Sequence, residues 1–248
     1  MQQKLKKTTF AIYIGNRGFM PAELLHDGRV EMMQAVREAG YDYIIMDESA
    51  TRYGAVETIG AATALQDAGV PILMQAYPDE IGKMDFAHRR DAFCGKFSVT
   101  DVFTQYKIPF TVLKSHVVHP LSPAFRKNLD DFAAICRVVN GMKRFNLGCI
   151  GARTTAFKTV RFDETTLQGY GINVESFDLS ELIFKVGKLS SAAPEVLAKK
   201  KTLKNYTDFS LVPAENFDTL AKISCVIDEY IETYHLDAIT LRCWNELE

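Results

Sequence analysis

Tryptophan occurs once in the 248 residues and cysteine five times, and neither sign of charge predominates: 29 Lys and Arg stand against 31 Asp and Glu, for a formal net charge of -2. The even balance excludes a polyanion-binding surface as the main function, because phosphate-backbone contacts need concentrated Lys and Arg, so no nucleic-acid partner is expected. Long apolar runs are also missing. No stretch approaches the roughly 18 to 20 residues of a membrane span, and the start, MQQKLKKTTFAIYIG, carries too short an apolar run before Asn16 and Arg17 to act as a leader. A chain that stays in the cytosol, without a membrane partner, is the expectation. Cys94, Cys136, Cys149, Cys225 and Cys243 are odd in number and lack CxxC spacing, which predicts reduced and mostly buried thiols.

What is present is a globular composition, 47% hydrophobic and 24% charged. This length predicts one large or two mid-sized domains that bury about 70 to 75% of the unfolded surface. Short β-rich runs alternate with helical patterns throughout, the arrangement of a parallel sheet covered by helices. The strand candidates are Thr9 to Ile14, Tyr43 to Met46, Val70 to Gln75, Phe110 to Leu113, Phe145 to Ile150, Asn173 to Phe177 and Ala238 to Leu241. Most are near-continuous apolar runs, as strands buried on both faces must be. Between them, Met32, Ala35, Val36 and Ala39 fall on one helix face, and Phe125, Leu129, Phe132, Cys136 and Val139 repeat the pattern. A third periodic segment, Phe217 to Tyr234, places Leu220, Ser224, Ile227, Ile231 and Tyr234 on one stripe, with Pro213 and Glu215 at its start. The proline-bearing segment Ser115 to Pro123 reads as a linker, with the domain boundary near Val118 to Pro120. The polar stretch Ser190 to Asp208, with Lys199, Lys200 and Lys201 adjacent, reads as a solvated helical excursion.

Ligands of open parallel sheets bind beyond the carboxyl ends of the strands, which singles out four loops. Gly15-Asn16-Arg17-Gly18 pairs turn-forming glycines with a forked oxyanion or hydroxyl donor, Arg17, but lacks full GxGxxG spacing. The stretch from Gln75 to Glu80 runs on into Arg89 to Lys96, long and charge-dense. Loops of this length are functional or disordered, and its aromatics together with Cys94-Gly95-Lys96 favour order, with an inter-subunit contact as the alternative. Gly151-Ala152-Arg153-Thr154-Thr155 again sets glycine and arginine at a strand end. Arg242-Cys243-Trp244-Asn245-Glu246 combines the lone tryptophan with polar neighbours, as a sugar site does, although a lone tryptophan more commonly belongs to a core. His116 and His119 have no third ligand nearby and read as surface or hydrogen-bonded histidines rather than a metal site. Cys94, near Lys96, Arg89 and Arg90, is a weaker candidate nucleophile.

VPILMQAYPDE (Val70 to Glu80), RRDAFCGKFSV (Arg89 to Val99), CRVVNGMKRFNLGCIGARTTAFKTVRF (Cys136 to Phe162), DLSE (Asp178 to Glu181) and LDAITLRCWNELE (Leu236 to Glu248) resemble the amino-terminal half of the L-fucose/L-arabinose isomerase superfamily, in particular its fucose-isomerase-like members. The resemblance implies an α/β fold of two flavodoxin-like (Rossmann-like) parallel-sheet domains, residues 1–118 and 119–248. It further implies a separate carboxy-terminal catalytic region and a homo-oligomer, trimer or hexamer, acting on a monosaccharide. In that family a divalent ion, usually Mn2+, binds O1 and O2 of the open-chain sugar, and a carboxylate moves the proton between C1 and C2.

Two departures accompany the likeness. The family's metal-binding Glu, Asp and His lie beyond the point matching CWNELE, so the ligands for Mn2+ are expected outside this chain, and no ligand role passes to Glu246 or Glu248. Relatives also carry an additional helix and strand near Thr58 to Gly60, where VETIGAATALQDAG runs directly into Val70. Either the segment is deleted, or residues are missing there and consecutive Cα atoms stand farther apart than about 3.8 Å. The resulting expectation is the substrate-recognition and assembly portion of a metal-dependent aldose-ketose isomerase, inactive alone, with Arg17, Lys96, Arg153, Arg242 and Trp244 facing sugar or a neighbouring subunit. Its rivals are a non-catalytic sugar-binding or regulatory module and a cysteine-dependent racemase using Cys94.

Overall fold

The computed structural model describes residues 7–56, 69–153, 157–243 and 247. Thr58 to Gly60 and Trp244 therefore lie outside the described residues. Helices and small sheets alternate, and every strand pair is parallel. This is the expected α/β grammar. The chain forms two compact units, 1–137 and 138–248. Ser115 to Pro123 lies within the first, where Val118 joins the core. Among the described residues no helix is long and apolar enough to cross a membrane.

In the first unit β1 (Thr9–Ile12) pairs with β3 (Asp42–Ile45), and β2 (Ile14–Gly15) with β4 (Ala55–Val56). Between β2 and β3 runs α1 (Ala22–Glu38), whose Glu23 and Arg37 occupy the first and last turns and complement the helix dipole. Its predicted apolar face is the one buried: Ala35, Val36 and Ala39 pack with Ile12, Phe125 and Leu129. Gly40, at φ 82°, makes the left-handed turn after the helix.

The pair β5 (Leu73–Met74) and β6 (Thr111–Val112) is shorter than its apolar runs predict. Beyond Met74, the Ala76 carbonyl accepts from Val118 N at 3.0 Å and the Gln75 side-chain Nε2 donates to Val118 O, so these residues bond to a loop instead of a strand. Between β5 and β6 lies α2 (Ala92–Gln105). The helix α3 (Pro123–Met142) buries Phe125, Leu129, Phe132 and Ala133.

In the second unit β7 (Phe145–Ile150) is central, flanked by β8 (Ile172–Phe177) and β9 (Ala238–Leu241). These three strands match their apolar runs almost residue for residue. Among the described residues four helices accompany them: α4 (Glu164–Gly169), α5 (Leu179–Lys188), α6 (Pro194–Tyr206) and α7 (Ala214–Tyr234). The start of α5 is capped by Asp178, which accepts from Ser180 N at 2.8 Å.

The buried residues of α7 are Phe217, Ala221, Val226 and Tyr230 rather than the stripe through Leu220, Ile231 and Tyr234. At 100° per residue the first two and last two point to different sides, because the helix packs against both α5 and α6. The Lys199–Lys200 run is also not simply solvated. Val196 of α6 is fully buried, and Lys199 and Lys200 pair with Asp228 and Asp218 of α7.

Candidate functional site

In the first unit, the turn after β2 sends Arg17 to the start of α2. Its guanidinium donates to the Asp91 carbonyl at 2.9 Å and to Asp91 Oδ2 at 2.8 Å, and it reaches Cys94 Sγ at 3.5 Å. That hydrogen bond holds the Asp91 carboxyl below the usual aspartate range. Asp91 itself adopts a left-handed conformation, φ 45°, which aspartate tolerates better than most residues.

The charge-dense loop before α2 is pinned at its two ends. Asp79 Oδ1 accepts from the backbone N–H of Arg90 and of Asp91, both at 2.9 Å. Arg90 lies over the Tyr77 ring at 4.4 Å and donates to Leu24 O at 2.7 Å. The Tyr77 hydroxyl donates to Gly28 O at 3.0 Å. Burial, helped by the charge of Glu31, raises the Tyr77 pKa well above the ordinary phenol range, so this group stays a donor.

Lys96 is buried, and its Nζ donates to His116 O at 2.9 Å. Loss of solvent lowers its pKa. The His116 ring packs against Phe93, whereas His119 stands edge-on to Tyr77 and 3.6 Å from Glu31.

A second buried cation escaped the sequence reading. Arg29 of α1 is only 6% exposed; it donates to Met46 O and lies 3.3 Å from Glu48. A β-carbon on Gly54 would stand 2.8 Å from its Nη1. Nothing in the apolar spacing of α1 marks this arginine as buried. The available signal was the glycine at Gly54, which admits a close neighbour.

In the second unit, β7 lies between β8 and β9, so the chain crosses from β7 to one side and returns from β8 to the other, the kind of point where open α/β sheets bind ligands. Gly151, at φ 79°, turns the chain out of β7, and a β-carbon there would meet Arg242 Cβ at 3.1 Å. The loops carrying Arg153 and Arg242 thus leave adjacent strands. Beside them is an open pocket of about 520 Å³ lined by Arg153, Lys158, Arg161, Phe162 and Asp163. Asp163 caps α4 by accepting from Thr166 N at 3.0 Å, and that bond lowers its pKa.

Of the five sequence-selected positions, Arg17 and Lys96 belong to the first unit and Arg153 and Arg242 to the second. All five cysteines are free. Two of them, Cys94 and Cys243, are exposed, which corrects the expectation of mostly buried thiols. Burial raises the thiol pKa of Cys136, Cys149 and Cys225.

Residues 59–143 match the family model of the fucose/sulfoquinovose isomerase N-terminal domain. The resemblance to an amino-terminal fucose-isomerase-like portion holds over that span. It includes the VPILMQAYPDE and RRDAFCGKFSV stretches, and with them Lys96. No curated protein matches the chain. The donor set of the described residues does not fit the manganese of fucose-isomerase-like enzymes. Among them no three His, Cys, Asp or Glu side chains converge, and Asp91, Asp163 and Asp178 are engaged by Arg17, Thr166 and Ser180.

Proposed function

We propose that this chain is the substrate-recognition and assembly portion of an aldose-ketose isomerase of the fucose/sulfoquinovose kind. The observation that carries the reading is the family-model match over residues 59–143. Parallel sheets with arginines on the loops after β2, β7 and β9 support it, because guanidinium groups donate in pairs to sugar hydroxyls and oxyanions. In this reading both units are flavodoxin-like, the chain works in a homo-oligomer of three or six copies, and Arg17, Lys96, Arg153, Arg242 and Trp244 serve the sugar or the subunit contact. Mn2+ and the carboxylate that moves the C1–C2 proton are supplied by residues other than those described, and the chain alone does not turn over substrate.

The test is equilibrium binding of L-fucose and of sulfoquinovose to the 248-residue chain, with Mn2+ or with chelator, alongside an assay for ketose. Saturable binding, weakened in Arg242→Gln and unaccompanied by ketose, is the expected result, whereas tight binding unchanged by Mn2+ or chelator would favour a non-catalytic sugar-binding module instead. Manganese-dependent ketose formation by the chain alone would overturn the division of labour. Failure of both sugars to bind would overturn the recognition role.

A further inference from the structure

Helix α3 carries a second apolar face that the core does not use. Its first half buries Phe125, Leu129, Phe132 and Ala133. Ile135, Val138, Val139 and Met142 follow at the i, i+3, i+4, i+7 spacing, roughly a third of a turn around the helix from that buried face. All four are between 37 and 64% exposed, although Val139 falls on the face that the periodicity assigns to the core. Single apolar side chains on a surface are ordinary, whereas a contiguous group of them marks an interaction site. Asn128, Asp131, Ile135, Val138 and Met142 together make a strict heptad seam, polar at its first two positions and apolar at the last three. Ala134 and Gly141 lie beside the apolar part, and such small residues let a facing helix come close.

We propose that this stripe is a two-fold interface, on which α3 of a second copy of this chain packs antiparallel. In such a contact both copies present the same patch, so the apolar half of one seam covers that of the other. Charge sets the orientation. Asp131 stands one turn before Ile135, and Lys143 and Arg144 follow Met142 directly. Among the described residues Lys143 and Arg144 make no ion pair, and Asp131 has only its exposed pair with Lys127, a contact of little worth. A parallel pair would set Asp131 against Asp131 and Lys143 against Lys143. The antiparallel pair instead brings Asp131 of each copy to the end where Lys143 and Arg144 of the other stand, and it opposes the helix dipoles. A two-fold contact requires an even number of copies. Within the isomerase reading it selects six copies over three, but the inference does not rest on that reading.

Sedimentation velocity of the full 248-residue chain, under reducing conditions, measures the number of copies. An even assembly is expected, and Val138→Glu should halve it, dimer to monomer or hexamer to trimer. Asp131→Lys should weaken association about tenfold by gathering like charges at both ends of the contact, and adding Lys143→Asp should restore it. Because all three side chains are exposed, unchanged melting temperatures are expected and show that the variants fold. A monomer or an odd number of copies, an assembly unaltered by Val138→Glu, or a double variant that associates no better than Asp131→Lys would each overturn the assignment.

Discussion

A β-carbon on Gly171 would sit 2.1 Å from the carbonyl oxygen of Lys143. Gly171 has a φ of 86° and receives the Phe145 N–H on its own carbonyl at 3.1 Å, so this contact sets the register between β7 and β8 where they begin. Gly171→Ala therefore meets two penalties at once, a left-handed backbone and a clash with main chain that has no side-chain end to swing away. The expected cost is about 3 kcal/mol or more, measured by urea unfolding of the purified variant.

Tyr230 stacks on Phe177 with ring centroids 4.6 Å apart, and its buried hydroxyl, near Glu181, makes no hydrogen bond of ordinary geometry among the described residues. Burial pushes its pKa up to about 12. Tyr230→Phe keeps the stack and removes the unsatisfied group, so it should be neutral or stabilise by up to about 1 kcal/mol. Tyr230→Ala should cost about 3 to 5 kcal/mol by opening a cavity. Equal losses in the two variants would show that the hydroxyl, not the ring, matters.

The Arg17–Asp91 pair joins the loop after β2 to the start of α2, with both side chains about a quarter exposed. Arg17→Met and Asp91→Asn should each destabilise the first unit by about 1 kcal/mol, and the double variant by less than the sum. A double-mutant cycle in urea measures the coupling. Strict additivity would show that the two residues act separately.

Asp218 accepts from Ser191 and pairs with Lys200 of α6 and with Lys222 one turn along α7. These partners, Lys200 first, lower its pKa far below the ordinary aspartate value. A depressed carboxyl contributes stability that is present above the unfolded pKa, about 3.9, and is lost as pH falls through the folded value. Stability should therefore decline as the pH drops below about 4, and Asp218→Asn should flatten that part of the profile. The readout is the melting temperature of the two proteins between pH 2 and pH 7.

Phe145 to Ile150 and Ala238 to Leu241 are legible to the residue, because strands of a parallel sheet under helices are near-continuous apolar runs. The helix faces through Ala35 and Val36, and through Phe125 and Leu129, followed from the 3.6-residue period. The buried face of α7 was misplaced, since that helix meets different neighbours at its two ends. Of the candidate sites, the loops bearing Arg17, Arg153 and Arg242 were legible as glycine- or arginine-bearing segments after strands. Lys158 and Arg161 were not, because neither stands beside a strand end in the sequence.

The alternating β and helical periods, the parallel α/β class and the fucose-isomerase-like stretch are written in the residue order, since each depends on backbone geometry repeated over a few positions. Partnership is different. That Arg17 would hold Asp91, 74 residues away, that Arg29 would lie buried against Gly54, and that Lys158 and Arg161 would join Arg153 around one pocket follow only once the chain has folded. Apolar spacing records which face is buried, but a polar side chain's partner is chosen by where distant loops come to rest.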